Sequence, residues 1–461
     1  MNYLAPIAKM RDLTGGDARS MNCRLGRKCI ARRPQEEKMR EDAEYRRNSA
    51  ELEENRDMML PKLTLAGLVA VGLHLPSAHA QSSATIKIGV LADMSGLYSD
   101  LSGIGSVVAT QLAVEDFGGT VLGRKIEVVS ADHQNKPDIG SNIARQWFDQ
   151  QGVNAIVDVP VSSIAFAVQQ IARERNRVLL ISSSGSSDLT GKSCSPTSVH
   201  WTYDTYALAQ TAGKAMIREG GDTWFFITAD YAFGHALERD TSAIIKANGG
   251  QVLGFVRHPQ DTPDLSSFLL KAQASTAKVI GLANAGGDTI NSIKQANEFG
   301  ILGGGRRIIG LLTYISDVHG MGLKDAKGLI LASAFYWDLT NETRAWTKRF
   351  MERSNKIPTM ANAGDYGGTL HYLKAMKEAG TDEAQAVVRK MKEIPVNDFF
   401  TKNGIVREDG RVIRNMYLFQ VKSPEESKYA YDYYKLLDTI PGEQAFRPLS
   451  EGGCPMLAKK S

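Results

Sequence analysis

The sequence is poor in cysteine and carries almost no excess charge. It has four cysteines in 461 residues and a formal net charge of +4. Beyond the first 57 residues no basic block with interleaved aromatic side chains occurs, so we do not expect nucleic acid as a partner. Since 43% of the residues are hydrophobic and 23% are charged, the chain can bury a sizeable core, and its length predicts two to three domains.

Patterns typical of catalysis are also missing. The chain contains no G-x-S-x-G, no H-E-x-x-H and no Cys-x-x-Cys, and its histidines are scattered. Gly103-Ile104-Gly105 precedes a predicted helix, but Ala109 stands near the third glycine position and a long loop separates Gly103 from the strand before it. A dinucleotide site needs its first glycine in the tight turn directly after the strand. We therefore expect neither an enzyme nor a cofactor nor a metal site.

No apolar run is long enough to cross a membrane. The stretch from Leu63 to Leu75 is too short for a bilayer, and it stands between a basic start at Lys62 and the sequence Ala78-His79-Ala80. That order predicts a signal peptide over residues 58–80, cleaved after Ala80. Residues 1–57 are mixed in charge and are predicted to be disordered or to come from an upstream start codon. The exported chain would then be nearly neutral.

Two cysteines, Cys194 and Cys454, remain in the exported chain. An exported protein with two cysteines favours one disulfide between them, which would tie the tail to a loop in the first half. Two free thiols are the alternative.

From Thr85 the sequence alternates strands and helices. Buried strands such as Ile86 to Leu91 and Val178 to Ile181 are separated by segments with apolar residues at helical spacing. A second series begins with a helix predicted over Tyr206 to Arg218 and includes a helix predicted over Ala232 to Ala247. Two such series predict an α/β fold with two doubly wound lobes. Ligands of open α/β sheets bind at the carboxyl ends of the strands, which predicts a central cleft.

Hydroxyl groups and aromatic rings follow several predicted strands. Ser162 and Ser163 stand between a strand and a helix, and a serine run from Ser182 to Ser187 follows the next strand. Hydroxyls and free amides at helix starts bind anions such as carboxylates, although ordinary helix capping is the alternative. The aromatic residues at comparable places suit the wall of a small-molecule cleft: Tyr98, Tyr231, Phe233, Tyr314 and Trp337.

The chain resembles the type I periplasmic binding proteins, and within them the receptors of branched-chain amino acid ABC transporters. The resemblance covers about Thr85 to Val421 and is carried by these motifs: Asp93-Met94-Ser95-Gly96, Val161-Ser162-Ser163, Asp188-Leu189-Thr190 and Asp230-Tyr231-Ala232-Phe233-Gly234. It implies periplasmic location, ABC permease subunits as partners, a monomer, and three hinge crossings near Tyr203, Ala334 and Arg414. The implied lobes are residues 84–203 with 335–414, and residues 204–334 with 415–461.

The resemblance also implies roles for individual residues. Tyr98 matches the aromatic of the first loop, Ser163 with Ser162 the carboxylate-holding serine, and Phe233 with Tyr231 the aromatic of the second lobe. Ser183, Ser184 and Gly185 match the contacts after the fourth strand.

The sequence departs from the family at one point. Amino-acid binders of the family place a carboxylate for the ligand ammonium in the second lobe, where this chain has Leu312-Thr313-Tyr314. Thr313 is a candidate contact there, and Asp288 is the available substitute. Burying an ammonium without an anion is costly, so we expect a small organic carboxylate, with an aromatic acid favoured. An amino acid receptor and a periplasmic ligand sensor are the alternatives.

Overall fold

In the computed structural model, the structure describes residues 85–302 and 305–457, and the predicted signal peptide and its cleavage site lie outside them. The chain alternates strands and helices as expected and forms two α/β lobes. The helices span these ranges in chain order: Gly103–Phe117 (α1), Pro137–Asp149 (α2), Ser162–Glu174 (α3), Thr205–Leu208 (α4), Lys214–Arg218 (α5), Ala232–Ala247 (α6), Ser266–Ala274 (α7), Gly287–Glu298 (α8), Ile315–Met321 (α9), Leu323–Ala326 (α10), Asn341–Ser354 (α11), Met360–Ala379 (α12), Ala384–Glu393 (α13) and Gly442–Ala445 (α14).

The first lobe is built on a six-stranded sheet in the order β2-β3-β1-β4-β5-β6. Its strands are Ile86–Ala92 (β1), Thr120–Val121 (β2), Arg124–Asp132 (β3), Val153–Asp158 (β4), Val178–Ile181 (β5) and Ser198–His200 (β6). All neighbours are parallel except β2 and β3. Helices cover the central strands on both faces, so every residue of β4 and β5 is buried. Burial on both faces explains why these strands are mostly apolar without alternation.

The second lobe contains a parallel sheet in the order β10-β9-β7-β8. Its strands are Thr223–Ala229 (β7), Gln251–His258 (β8), Val279–Ala283 (β9) and Arg307–Gly310 (β10). In both sheets the chain order reverses beside the first strand of the lobe, β1 or β7. A crevice opens at such a reversal, outside the carboxyl ends of the strands.

Two antiparallel sheets complete the fold. One has the order β11-β14-β15, with strands Ile330–Ser333 (β11), Met416–Val421 (β14) and Tyr434–Ile440 (β15). The other pairs Ile405–Val406 (β12) with Val412–Ile413 (β13). Between β11 and β14 the chain returns to the first lobe, where α12 packs against α1 and β4.

The predicted disulfide is present: Cys194 and Cys454 are bonded, with their Cα atoms 5.6 Å apart. The residue bounds assigned to each lobe stay predictions. Arg447 donates a hydrogen bond to the carbonyl of Ser187 at 3.0 Å. The tail after α14, predicted to belong to the second lobe, therefore lies against the first-lobe loop that follows β5. None of the described helices is both long and apolar enough to cross a membrane.

Candidate functional site

A small cavity lies between the two lobes, where the carboxyl ends of their strands face each other. Its free volume is about 10 Å³, far below the roughly 300–1,000 Å³ usual for ligand pockets, so the two lobes are closed tightly on each other here. Larger clefts elsewhere on the described chain lie away from these strand ends. The cavity is lined by Tyr98, Leu101, Pro160, Ser183, Tyr203, Tyr231, Phe233, Ala285, Leu312 and Tyr314.

Each lining residue is delivered by a loop directly after a strand. Tyr98 follows β1, Ser183 follows β5 and Tyr203 follows β6, while Phe233 follows β7 and Tyr314 follows β10. Parallel strands end at one edge of a sheet, so residues far apart in sequence converge there. The cavity therefore brings together four of the residues proposed from sequence: Tyr98, Ser183, Tyr231 and Phe233.

A hydrogen bond between two tyrosines joins the lobes. The hydroxyl oxygens of Tyr98 and Tyr231 lie 2.8 Å apart. Burial raises the pKa of both hydroxyls, and the nearby charge of Asp288 adds to that effect. Both tyrosines are therefore neutral at physiological pH, and the pair has one hydroxyl hydrogen left for a further acceptor.

A buried carboxylate lies beneath the first-lobe wall. Asp158, the last residue of β4, accepts hydrogen bonds from the hydroxyls of Ser102 and Ser183. Asp158 and Val159 both have positive φ, of 83° and 58°, a conformation that strains non-glycine residues and is frequent at functional sites. Burial raises the pKa of Asp158 to about 6, and the hydrogen bonds from the two serines act in the opposite direction.

The other predicted serines lie beside the cavity without lining it. Ser162 begins α3, and its Oγ accepts the amide hydrogen of Ser186 at 3.2 Å. Ser163 is half-buried in the first turn of α3. Ser184 donates to the carbonyl of Val159 at 2.5 Å, which ties the loop after β5 to the end of β4. The first amides of α3 follow Pro160, which lines the cavity, by two residues along the chain.

Gly185 lies at a close approach between the two lobes. A Cβ atom at this position would lie 2.7 Å from Cε2 of Phe233 and 2.9 Å from Cε2 of Tyr203. Such distances do not occur between real side chains, so only glycine permits Phe233 of the second lobe to pack against this loop.

Asp288 and Thr313, the two residues considered for contact with a ligand ammonium, already make hydrogen bonds to the main chain. Both oxygens of Asp288 accept backbone amides, from Thr262 at 2.9 Å and from Asp261 at 3.2 Å. Burial raises the pKa of Asp288 to about 6. The hydroxyl of Thr313 donates to the carbonyl of Gly310 at 3.0 Å, so it closes its own turn after β10.

Comparison with known proteins shows which protein family the chain belongs to. A family model described as "periplasmic binding protein" matches residues 85–428. The chain belongs to this family. Its members are solute-binding receptors of the periplasm, not enzymes, and they deliver a small molecule to the membrane permease of an ABC transporter.

Solved structures agree with this membership. A periplasmic binding protein from Burkholderia mallei is 47% identical with a TM-score of 0.80, covering 81% of this chain and 99% of that one. A branched-chain amino acid ABC transporter ligand-binding protein from Burkholderia xenovorans is 39% identical with a TM-score of 0.72, covering 81% of this chain and all of that one. A solute-binding protein from R. palustris in complex with benzoate shares the fold: it is 20% identical with a TM-score of 0.71, covering 80% of this chain and 99% of that one.

An ion pair outside the cavity lining adds a further link between the lobes of this periplasmic binding protein. Arg239 on α6 contacts Asp188, in the loop after β5, at 2.8 Å, and it donates to Ser187 at 3.0 Å. Burial acts to raise the pKa of Asp188, but hydrogen bonds and charge from Arg239 and Lys192 outweigh it and hold that pKa below its ordinary value.

We expect Arg239→Gln to weaken ligand binding by roughly threefold to tenfold, because the closed form would lose a partly buried pair worth about 1 kcal/mol. The measurement is isothermal titration calorimetry at low and high salt, with the salt dependence reduced in the variant. Lys192→Gln is the matched control, since Lys192 contacts the same Asp188 at 3.1 Å but belongs to the same loop. Equal losses in both variants would contradict an inter-lobe role.

Asp317 gives a prediction for pH. Its carboxylate accepts the amide of Tyr314 at 2.8 Å, and burial raises its pKa to about 7. Because the folded pKa lies above the unfolded value, the folded state binds the proton more tightly, and stability is lost as pH rises from about 4 to 7. Asp317→Asn should therefore gain thermal stability relative to the parent on going from pH 4.5 to pH 7.5. A difference in melting temperature that stays constant over this range would contradict the assignment.

Proposed function

We propose that this protein captures a small organic carboxylate, with an aromatic acid favoured, and presents it to an ABC permease. The observation that carries the proposal is the closed cavity with four tyrosines and Phe233 in its walls. Flat aromatic walls with few polar groups suit a single aromatic ring.

The carboxylate needs hydrogen-bond donors, and two sources border the cavity. One is the free hydroxyl hydrogen of the Tyr98–Tyr231 pair. The other is the first turn of α3 behind Pro160, whose amides are directed out of the helix and which carries the positive end of the helix dipole. Ser163 in that turn is proposed as a further contact. The benzoate complex of the R. palustris protein shows that this fold accommodates such a ligand in a relative.

An amino acid is the second candidate. The Burkholderia xenovorans structure is described as a branched-chain amino acid transporter component, and the buried Asp288 supplies negative charge near Tyr98 and Tyr231. Both of its oxygens already accept backbone amides, which leaves it a weaker partner for an ammonium than a free carboxylate.

The test is a binding screen of the protein by thermal shift, followed by calorimetry, against benzoate, hydroxybenzoates, aliphatic dicarboxylates and leucine. We expect aromatic acids to give the largest shifts. Phe233→Ala should lose most of the affinity, whereas Phe299→Ala, at a side chain that is 51% exposed, should bind as the parent does. Tight leucine binding without any response to aromatic acids would refute the proposal.

A further inference from the structure

Three residues on the cavity wall, Ser183, Tyr203 and Tyr314, are connected by hydrogen bonds that run through the main-chain carbonyl of Ser183. Ser183 Oγ donates to the carboxylate of Asp158, and Tyr203 Oη donates to the main-chain carbonyl of Ser183. The hydroxyl oxygens of Tyr203 and Tyr314 lie 2.6 Å apart. All three residues are at most 3% exposed, so solvent does not satisfy them.

The direction of every hydrogen bond in this chain is fixed. A carbonyl oxygen can only accept, so the one hydrogen of Tyr203 is committed to Ser183. The contact between Tyr203 and Tyr314 must then use the hydrogen of Tyr314. The hydrogen of Ser183 is committed to Asp158, whose other oxygen accepts from Ser102. The wall therefore presents lone pairs to the cavity and has no hydroxyl hydrogen to give.

The charged groups near the wall also disfavour an anion there. The carboxylates of Asp158 and Asp317 lie close enough to raise the pKa of Tyr203 and Tyr314 beyond the effect of burial. No Lys, Arg or His side chain is among the residues lining the cavity in the described chain. A ligand carboxylate at this wall would meet negative charge and acceptors, so we expect the carboxylate to bind away from these three oxygen atoms.

We propose that the wall formed by Ser183, Tyr203 and Tyr314 recognises a hydrogen-bond donor on the ligand, a phenolic hydroxyl of a hydroxylated aromatic acid. Tyr203 determines this specificity because it holds the hydrogen of Tyr314 away from the cavity. This inference rests on the proposed function, and it adds the substituent that the ligand ring must carry. A phenol at this wall would supply the hydrogen that the buried acceptors lack.

The experiment compares 3- and 4-hydroxybenzoate with 3- and 4-fluorobenzoate by calorimetry, since fluorine is small and donates no hydrogen. We expect the better hydroxybenzoate to bind at least about tenfold more tightly than its fluoro analogue, because a site built around a hydroxyl rejects analogues that lack it. Tyr203→Phe releases the hydrogen of Tyr314 into the cavity, so this preference should fall at least about fivefold. Tyr314→Phe removes one acceptor and should also reduce it.

Tyr429→Phe is the control, because Tyr429 is 54% exposed and its ring lies outside the cavity lining. It should keep the parent preference. Equal binding of hydroxy and fluoro analogues by the parent would overturn the inference while leaving the proposed function intact. Unchanged preference in a folded Tyr203→Phe protein would overturn the role of Tyr203. Binding of leucine with no aromatic acid bound would instead refute the proposed function.

Discussion

Replacing Gly185 by valine should lower ligand affinity by about 100-fold while leaving the fold intact. The new side chain would occupy the space of the Phe233 ring, 2.7 Å from its Cε2 atom, and would hold the lobes apart. Overpacking of this kind costs roughly 1–3 kcal/mol, and the cost falls on the closed form, which is the form that binds. Calorimetry with the ligand found in the screen measures the loss, and circular dichroism checks the fold.

Gly320→Val is the matched control for this substitution. A Cβ atom at Gly320 would meet Ile290 at 3.5 Å, an ordinary contact, and the position lies on α9 away from the cavity lining. We expect its affinity to stay within about twofold of the parent. Parent-like binding by Gly185→Val would show that this loop does not govern closure.

Removing the disulfide should be the most destabilising change outside the core. The bond joins residues 260 positions apart, so it restricts a very long loop of the unfolded chain. We expect the double variant Cys194→Ala, Cys454→Ala to lose about 2–5 kcal/mol, which corresponds to a melting temperature roughly 2–6 °C lower. A reductant should lower the melting temperature of the parent to the same value and should not affect the variant. An unchanged melting temperature would mean that the loop after β5 and the tail are held by their other contacts alone.

Much of the fold could be predicted from the sequence because parallel strands and amphipathic helices have clear periodicity. Val178 to Ile181 was predicted as a strand and Ala232 to Ala247 as a helix, and both have those bounds. The segment from Tyr206 to Arg218 was predicted as one helix, but a π-helical turn over Ala209–Gly213 separates α4 from α5. Periodicity does not distinguish such a turn. β15 was not predicted, since most of its residues are exposed on an edge strand.

The site was predictable only in part. Tyr98, Tyr231 and Phe233 follow long, recognisable strands, and they line the cavity. Tyr203 was noted only as a hinge position, because it follows β6, a strand of three residues that carries little signal of its own. Tyr314 was noted as an aromatic after a strand but not included among the binding residues. The direction of the hydrogen bonds could not be read from sequence, since it depends on which acceptor each hydroxyl meets.

The long separation between Cys194 and Cys454 has a consequence for biogenesis. Cys454 follows Cys194 by 260 residues, so the bond can form only after the second sheet and the tail have been synthesised. Covalent closure is therefore late relative to synthesis of the first lobe's strands. A molecule whose Cys194 still reacts with a maleimide lacks this bond, so thiol labelling after export would count the fraction of receptors that have not yet closed it.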